Sequence, residues 1–346
     1  MSTSRKSPRS HLPLVRLNLV LPLVEALERA DRTIAPVFAR HNLAPDALSD
    51  SEMFVPASTM YHLVEDLATA SGDPHFGVHV GEKLDPWSWS PLTEAAAAAH
   101  SVGDLLLRFT IAAARDASSV HFVLETQGER VTFGERRVSD GGLQPRHNDG
   151  FGIAYLLSII RPAVGDRWDG SRVLARLCDP EVVPPNYFGI KVASTDTYGF
   201  SLIFPVEWML LPWATDTSRP GLASPDLGPS PEKPAATIVD SLRQALRPHL
   251  RVPDLNTRRI AELCGMTPRT LARHLQAHGT SIQRELAALR RERAEEELAE
   301  TDRPIQDIAV GVGYLDPAVF SRAFRRWTGV TPSEFRRRAR EPEVEG

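Results

Sequence analysis

The stretch Ile260-Ala261-Glu262-Leu263-Cys264-Gly265-Met266-Thr267-Pro268-Arg269-Thr270-Leu271-Ala272-Arg273-His274-Leu275 is one copy of a pattern that returns 48 residues later. The second copy is Ile308-Ala309-Val310-Gly311-Val312-Gly313-Tyr314-Leu315-Asp316-Pro317-Ala318-Val319-Phe320-Ser321-Arg322-Ala323-Phe324. In both, an Ile-Ala pair is followed by a glycine, then by a polar residue and a proline, then by two large apolar residues one helical turn apart. This is an internal repeat, and its grammar is that of two short helices crossing at a glycine turn.

Each position has a physical reason. Ala261 and Ala309 are small where a first helix must approach a second. Gly265 and Gly313 fall where the chain leaves the first helix, a place that calls for positive φ. Thr267 and Asp316 are N-cap residue types, and Pro268 and Pro317 suit a first helical turn, whose N–H groups have no intrahelical partner. Leu271 and Leu275 share one helical face, as do Phe320 and Phe324, so each second helix buries a stripe and leaves its opposite face outward. A single such pair is common in ordinary helical domains; a pair repeated with arginine-rich outer faces is the arrangement that reads a DNA duplex.

Between the copies, Ile282 to Ala299 is uninterrupted by glycine or proline. It offers Ile282, Leu286, Leu289, Ala294 and Leu298 as a buried stripe, and Asp302-Arg303-Pro304 marks its end. A stiff connector of this kind would hold two reading helices for major grooves about 34 Å apart, one helical turn of DNA.

The charge distribution agrees. The chain of 346 residues has a formal net charge of −4. Residues 235–346 hold 19 arginines, no lysine and 16 acidic residues, a net of +3, whereas residues 1–234 carry −7. Attraction to a phosphate backbone depends on local grouping rather than on the molecular total. Arg322, Arg325, Arg326, Arg336, Arg337, Arg338 and Arg340 form such a group. Arg269 and Arg273 are one turn apart and can face a groove together, where a guanidinium meets guanine O6 and N7. Thr270 and His274 lie on the same helix. Ala318 and Val319 could meet thymine methyls, and Ser321 and Arg322 could meet base edges or phosphates.

On these residues, 235–338 resemble the DNA-binding domain of the AraC/XylS family of transcriptional regulators. The run Gly313-Tyr314, then Phe320 through Arg326, Trp327-Thr328-Gly329, Thr331-Pro332 and Phe335 follows the family signature. His274 and His278 depart from it, where more basic residues are frequent. The resemblance implies a seven-helix domain on double-stranded promoter DNA, with Arg269, Thr270, Arg273, His274, Ala318, Val319, Ser321, Arg322, Arg325 and Arg326 as its DNA-binding residues. It also implies transcriptional activation together with RNA polymerase. More loosely, Phe54-Val55-Pro56, the helix from Tyr61 and Gly72-Asp73-Pro74-His75-Phe76-Gly77 are similar to the effector domains of the ornithine-utilisation-regulator-like branch.

The expected architecture is two-domain. An α+β N-terminal effector-binding or dimerisation domain spans 11–217, and an all-α C-terminal domain with two helix-turn-helix units joined by a central helix spans 235–340. Residues 1–10 are expected to be disordered, 218–234 to form a Pro/Gly-rich tether and 341–346 an acidic tail. Leu12 to Ala39 reads as helical with a break near Pro22, and Arg29 to His41 as a short second helix. Further helices are expected at Ser58–Ala70, from Thr93 to Ala114 with a break near Ser101, and at Asp149–Pro162. Val120–Thr126 and Arg130–Arg137 read as a hairpin, and Val173–Cys178 and Gly189–Val206 as strand.

The front domain has two readings: sensing of a small-molecule effector, which requires unequal affinity for two states, and plain homodimerisation. Trp87, Trp89, Tyr187, Phe188, Phe200, Phe204, Trp208 and Trp213 are candidate walls of a pocket or ordinary core aromatics, with Trp87, Trp89, Tyr187 and Phe204 taken as the effector-binding set. Arg146, His147, Asn148 and Asp149 are a candidate polar anchor or a helix cap. His75 and His79 are one turn apart without a third ligand, so no metal and no cofactor are expected. No phosphate loop, nucleophile elbow or dinucleotide fingerprint occurs, so an enzyme is not expected. Cys178 and Cys264 fall in different domains and suggest no disulfide, and the absence of a long apolar run or signal segment gives the expectation of a soluble, cytoplasmic protein without a membrane partner. A ligand-binding scaffold whose helical C-terminus binds protein is the remaining alternative.

Overall fold

The computed structural model describes residues 12–43, 45–51, 53–137, 144–196, 198–213, 237–253 and 255–340. The expected tether at 218–234, the expected disordered start at 1–10 and the acidic tail at 341–346 lie outside the described residues. Backbone proximity divides the chain into two compact units, one within Pro13–Pro234 and one carrying Ala235–Gly346.

The first unit is α+β. Strand β1 (Leu14–Arg16) pairs antiparallel with β2 (Phe54–Pro56). Around them are α1 (Leu21–Arg29), α2 (Ala35–Arg40), α3 (Ala57–Ser71) and α4 (Phe76–Lys83). Helices α5 (Ser90–Ala97) and α6 (Val102–Ala113) precede the hairpin β3 (Val120–Gln127) and β4 (Arg130–Arg137). Helix α7 (Arg146–Val164) is followed by β5 (Leu174–Leu177), β6 (Lys191–Ser194) and β7 (Gly199–Pro205). The larger sheet has the order β3-β4-β7-β5-β6, antiparallel except for β5 beside β6.

The expected hairpin, the helix after Pro56 and the break before α6 are found. Met60, Leu63, Val64 and Leu67 are buried on α3 as its spacing requires. Two expectations are corrected. Leu12–Ala39 begins with a strand, because the Leu14 N–H donates to Ser118 Oγ (2.9 Å) and the Arg16 N–H to the Asp116 carbonyl (2.8 Å), contacts that local periodicity cannot foresee. Pro22 breaks nothing, since it lies in the first turn of α1. The strand expected within Gly189–Val206 is found as two strands, with Gly199 at φ 126° opening the second.

Two apolar clusters form in this unit. One gathers α5, α6, α7 and the large sheet around Phe109, Phe133, Ile153, Leu202 and Trp208. The other gathers α1 to α3 around Leu27, Phe38, Leu63 and Leu67.

The second unit is all helix: α8 (Ile238–Leu246), α9 (Thr257–Leu263), α10 (Pro268–Ala277), α11 (Ile282–Glu300), α12 (Ile305–Gly311), α13 (Pro317–Thr328) and α14 (Pro332–Arg340). Pairs α9/α10 and α12/α13 are the two repeated units. Connector α11 has 19 residues, hence a length of about 28 Å, and it packs against both α9 and α12. Its stripe differs at one place from expectation: Leu286 is half-buried, and Glu285 takes an inward position instead. The exchange has a reason, because Arg243 from α8 reaches Glu285 with Nη1 at 3.1 Å, while Thr280 also donates to it.

Candidate nucleic-acid interface and ligand cavity

The local grammar of the repeat is visible atom by atom. Thr267 caps α10 by accepting from the Thr270 N–H at 3.2 Å, and Asp316 caps α13 by accepting from the Ala318 N–H at 2.7 Å. Gly265 (φ 61°) and Gly313 (φ 81°) adopt the left-handed turn conformation. At Gly313 space is also short: a Cβ would lie 2.5 Å from the Leu250 carbonyl oxygen. Ala261 and Ala309 are fully buried, as are Leu271, Leu275, Phe320 and Phe324. With these stripes inward, the outer faces of α10 and α13 are determined.

Arg269 and Arg273 are exposed on α10, with Thr270 half-buried between them. On α13, Ala318, Val319, Arg322, Arg325 and Arg326 are exposed. Ser321 is half-buried and donates its hydroxyl to the Pro317 carbonyl at 2.9 Å, leaving its oxygen lone pairs as acceptors. His274 does not join this face: it is buried, on the side of α10 that carries Leu271 and Leu275, because its position follows Leu271 by three. Leu315, just before the cap of α13, is 75% exposed and was not singled out by the sequence.

Arginine pairing separates scaffold from surface. Arg243 bonds Glu292 (2.5 Å), Arg293 bonds Glu297 (3.0 Å), Arg303 bonds Glu297 (2.5 Å) and Arg340 bonds Asp302 (2.5 Å). These hold α8, α11 and the approach to α12 together. Arg269, Arg273, Arg322 and Arg326, by contrast, form no ion pair with any described residue. Four cations are therefore left uncompensated on the two outer faces, the arrangement that a polyanion would neutralise.

The first unit holds a cavity of about 640 Å³ at the seam between its two apolar clusters. Leu19, Leu23, Met60 and Val64 line it from one side, and Phe122, Phe151, Leu156 and Phe200 from the other. Polar groups converge on it. Arg16 Nε pairs with Asp116 at 2.9 Å, and Trp89 Nε1 donates to the same carboxylate at 2.6 Å. The Tyr61 hydroxyl stands beside Ser119 and the Arg137 guanidinium without a well-formed hydrogen bond to either, and Glu135 Oε1 and Asn18 Oδ1 also lack a donor. Burial pushes the Glu135 carboxyl up, with Arg137 opposing it, and burial pushes the Tyr61 hydroxyl up to about 12.

Of the residues singled out for this domain, Trp89, Asn148 and Phe200 line the cavity. Trp87, Arg146, His147, Tyr187 and Phe204 do not. Trp87 packs on Trp213 (5.8 Å between ring centroids), and Phe204 stacks on Trp208 as core. Tyr187 is buried against Phe188. Arg146 pairs with Asp179 at 3.3 Å, and His147 sits under α4, its Nδ1 accepting from the Gly77 N–H at 3.4 Å. Burial holds His147 down to about 4. Asn18, Tyr61, Ser119 and Glu135 were missed. One signal was present for the last: alternation along β4 places Glu135 and Arg137 on the same face as Val131 and Phe133.

His75 and His79 are satisfied singly, by the Val182 carbonyl (2.9 Å) and Asp73 (2.6 Å). Among the described residues no cluster could hold a metal, and no helix is long and apolar enough to cross a membrane.

Comparison with known proteins places this geometry. Residues 260–338 match the family described as a helix-turn-helix domain, and residues 32–208 match the arabinose-binding domain of AraC transcription regulator, N-terminal. An ornithine utilization regulator of Pseudomonas aeruginosa is 43% identical over 68 residues, 20% of each chain. The transcriptional regulator VirS of Mycobacterium tuberculosis is 33% identical over 101 residues, 29% of this chain and 30% of that one. These matches thus span between a fifth and a third of the relatives' lengths. The crystal structure of transcriptional regulator CdpR from Pseudomonas aeruginosa aligns over 92% of this chain and 98% of its own, at 19% identity and a TM-score of 0.42.

Proposed function

The chain belongs to the AraC/XylS-type family of helix-turn-helix transcriptional regulators, and from that premise we propose that it is an effector-responsive activator that binds promoter DNA through α10 and α13. Residues 11–217 act as the effector-binding and dimerisation domain, 218–234 as the tether and 235–340 as the DNA-binding domain. The observation that carries the reading is the set of four arginines without acidic partners on two capped helices, in a unit where Arg243, Arg293, Arg303 and Arg340 are held by acids of the scaffold.

Arg273 and Arg322 discriminate sequence, while Arg325 and Arg326 hold phosphates; Val319, with exposed Ala318, contacts thymine methyls. Anisotropy titration of promoter fragments against a scrambled duplex, over a salt series, tests this. Affinity should fall log-linearly with salt and prefer one fragment strongly. Absence of any fragment preference would favour a scaffold whose helices bind protein.

The cavity is the effector site, supported by its convergent unpartnered polar groups. Effector binding shifts the population of DNA-competent states only through unequal affinity for them. A second copy is the remaining partner: Leu107 (53% exposed) and Ile111 (72%) form an apolar stripe on α6 that it would cover. Sedimentation of the full chain with Ile111→Asp checks that. A reporter with the operator just upstream of the polymerase site separates activation from repression.

A further inference from the structure

The chemistry around the cavity is uneven enough to specify its ligand class, an inference that rests on reading the cavity as an effector site. Register sets Glu135 of β4 opposite Phe122 of β3 and opposite Phe200 of β7. Cross-strand partners share a face, so a carboxylate stands between two aromatic side chains, and all three line the cavity.

That carboxylate is short of partners. The Glu135 side chain is only 12% exposed, and its Oε1 receives no hydrogen bond. Arg137 Nε approaches it at 3.5 Å, but the same guanidinium is held by Asp149, which is fully buried. One buried cation thus faces two buried carboxyl groups, and Glu135 has no counter-ion of its own. The adjoining hydroxyls of Tyr61 and Ser119, 3% and 2% exposed, have lone pairs to offer. Arg16, whose guanidinium does line the wall, is bound by Asp116 and by the Ser51 carbonyl (2.6 Å). Asp85 and Glu25 add further negative charge to the lining. A carboxylate or phosphate entering here would meet acids and no uncommitted cation, whereas an ammonium would neutralise the surplus charge and lie against aromatic faces.

We infer that the cavity accepts an amphipathic organic cation, a protonated amine seated on Glu135 between Phe122 and Phe200, with its apolar body along Leu19, Leu23, Met60, Val64 and Leu156. Its N–H groups donate to Glu135 Oε1 and to the Tyr61 and Ser119 oxygens. A free amino acid fits poorly, because its own carboxylate would stand unpaired among acids.

The test uses the full chain and one carbon skeleton with three heads: phenylbutylamine, phenylbutanol and phenylbutyrate. Calorimetry and the thermal midpoint should show binding in the order amine, alcohol, acid. Glu135→Gln should weaken the amine by about tenfold while leaving the alcohol nearly unchanged, the loss expected of one charge-assisted contact. Phe122→Leu, which keeps the charge, should weaken the amine more than the alcohol and serves if Glu135→Gln does not fold. Equal or tighter binding of the acid, an amine affinity indifferent to both substitutions, or no binding by any of the three would overturn the inference. Anisotropy on promoter DNA in the same samples distinguishes the two readings: an amine that binds yet leaves DNA affinity unchanged sinks the effector role and not the ligand class.

Discussion

The two candidate sites leave their polar groups unsatisfied in opposite directions. On the outer faces of α10 and α13 the uncompensated groups are cations aimed outward, over cores closed by Leu271, Leu275, Phe320 and Phe324. Around the cavity of the α+β unit they are acceptors and hydroxyls aimed inward, at Asn18, Tyr61, Ser119 and Glu135. An unpaired charge at a surface costs little because water screens it, while an unpaired polar group in an interior keeps its full desolvation penalty. The first arrangement suits a large external polyanion that many weak contacts can hold. The second suits a small enclosed ligand that supplies a few strong ones.

The most severe way to break the contrast is to remove the helical core. Phe320→Ala takes a fully buried ring from between α12 and α13 and should cost about 3–5 kcal/mol. Promoter binding should vanish by anisotropy, while thermal stabilisation by a cavity ligand survives in the same chain. Loss of both would mean that the units do not act separately.

A finer test acts on the outward charges. Arg322→Ala or Arg273→Ala should cost about 1–3 kcal/mol on the preferred promoter fragment and less on a scrambled duplex. Equal losses on both would reduce these side chains to phosphate clamps. Next in size is Asp316→Ala, which removes the acceptor for the Ala318 N–H. It should lower the stability of the helical unit by about 1 kcal/mol, read as a drop in denaturant midpoint.

How far each unit could be read from sequence follows the same division. The helical unit is governed by relations spanning a few residues: Thr267 to Thr270, Asp316 to Ala318, glycine at the turn, apolar residues one turn apart. Such grammar is written along the chain, and it misled only where a helix face is shared, at His274 and Leu286. The cavity is assembled from β1, α3, the β3–β4 hairpin and α7, so its residues meet only through tertiary register. Aromatic composition pointed to Trp87, Tyr187 and Phe204, which proved to pack in core or against neighbouring rings, because large rings fill space wherever clusters close. The informative irregularity was smaller: an acid continuing the inward alternation of Val131 and Phe133.

That acid gives the smallest and most discriminating prediction. Burial raises the folded-state value of Glu135 above that of the unfolded chain, so the folded state holds its proton more tightly. The free protein should therefore lose stability as pH rises from the unfolded carboxylate value, about 4.3, through the raised folded one. Gln keeps the shape without the charge, and Arg137 retains Asp149. Glu135→Gln should then raise the midpoint of the unliganded α+β unit at neutral pH by about 2–4 °C, the response to ~1 kcal/mol in a domain of this size. The gain should shrink as pH falls toward the unfolded value. Saturating amine should reverse the order, making the wild type the more stable of the two, since only its carboxylate gains a counter-ion. A variant less stable than wild type at neutral pH without ligand would show that the leftover charge is already compensated inside the protein, and the inward half of the contrast would fall.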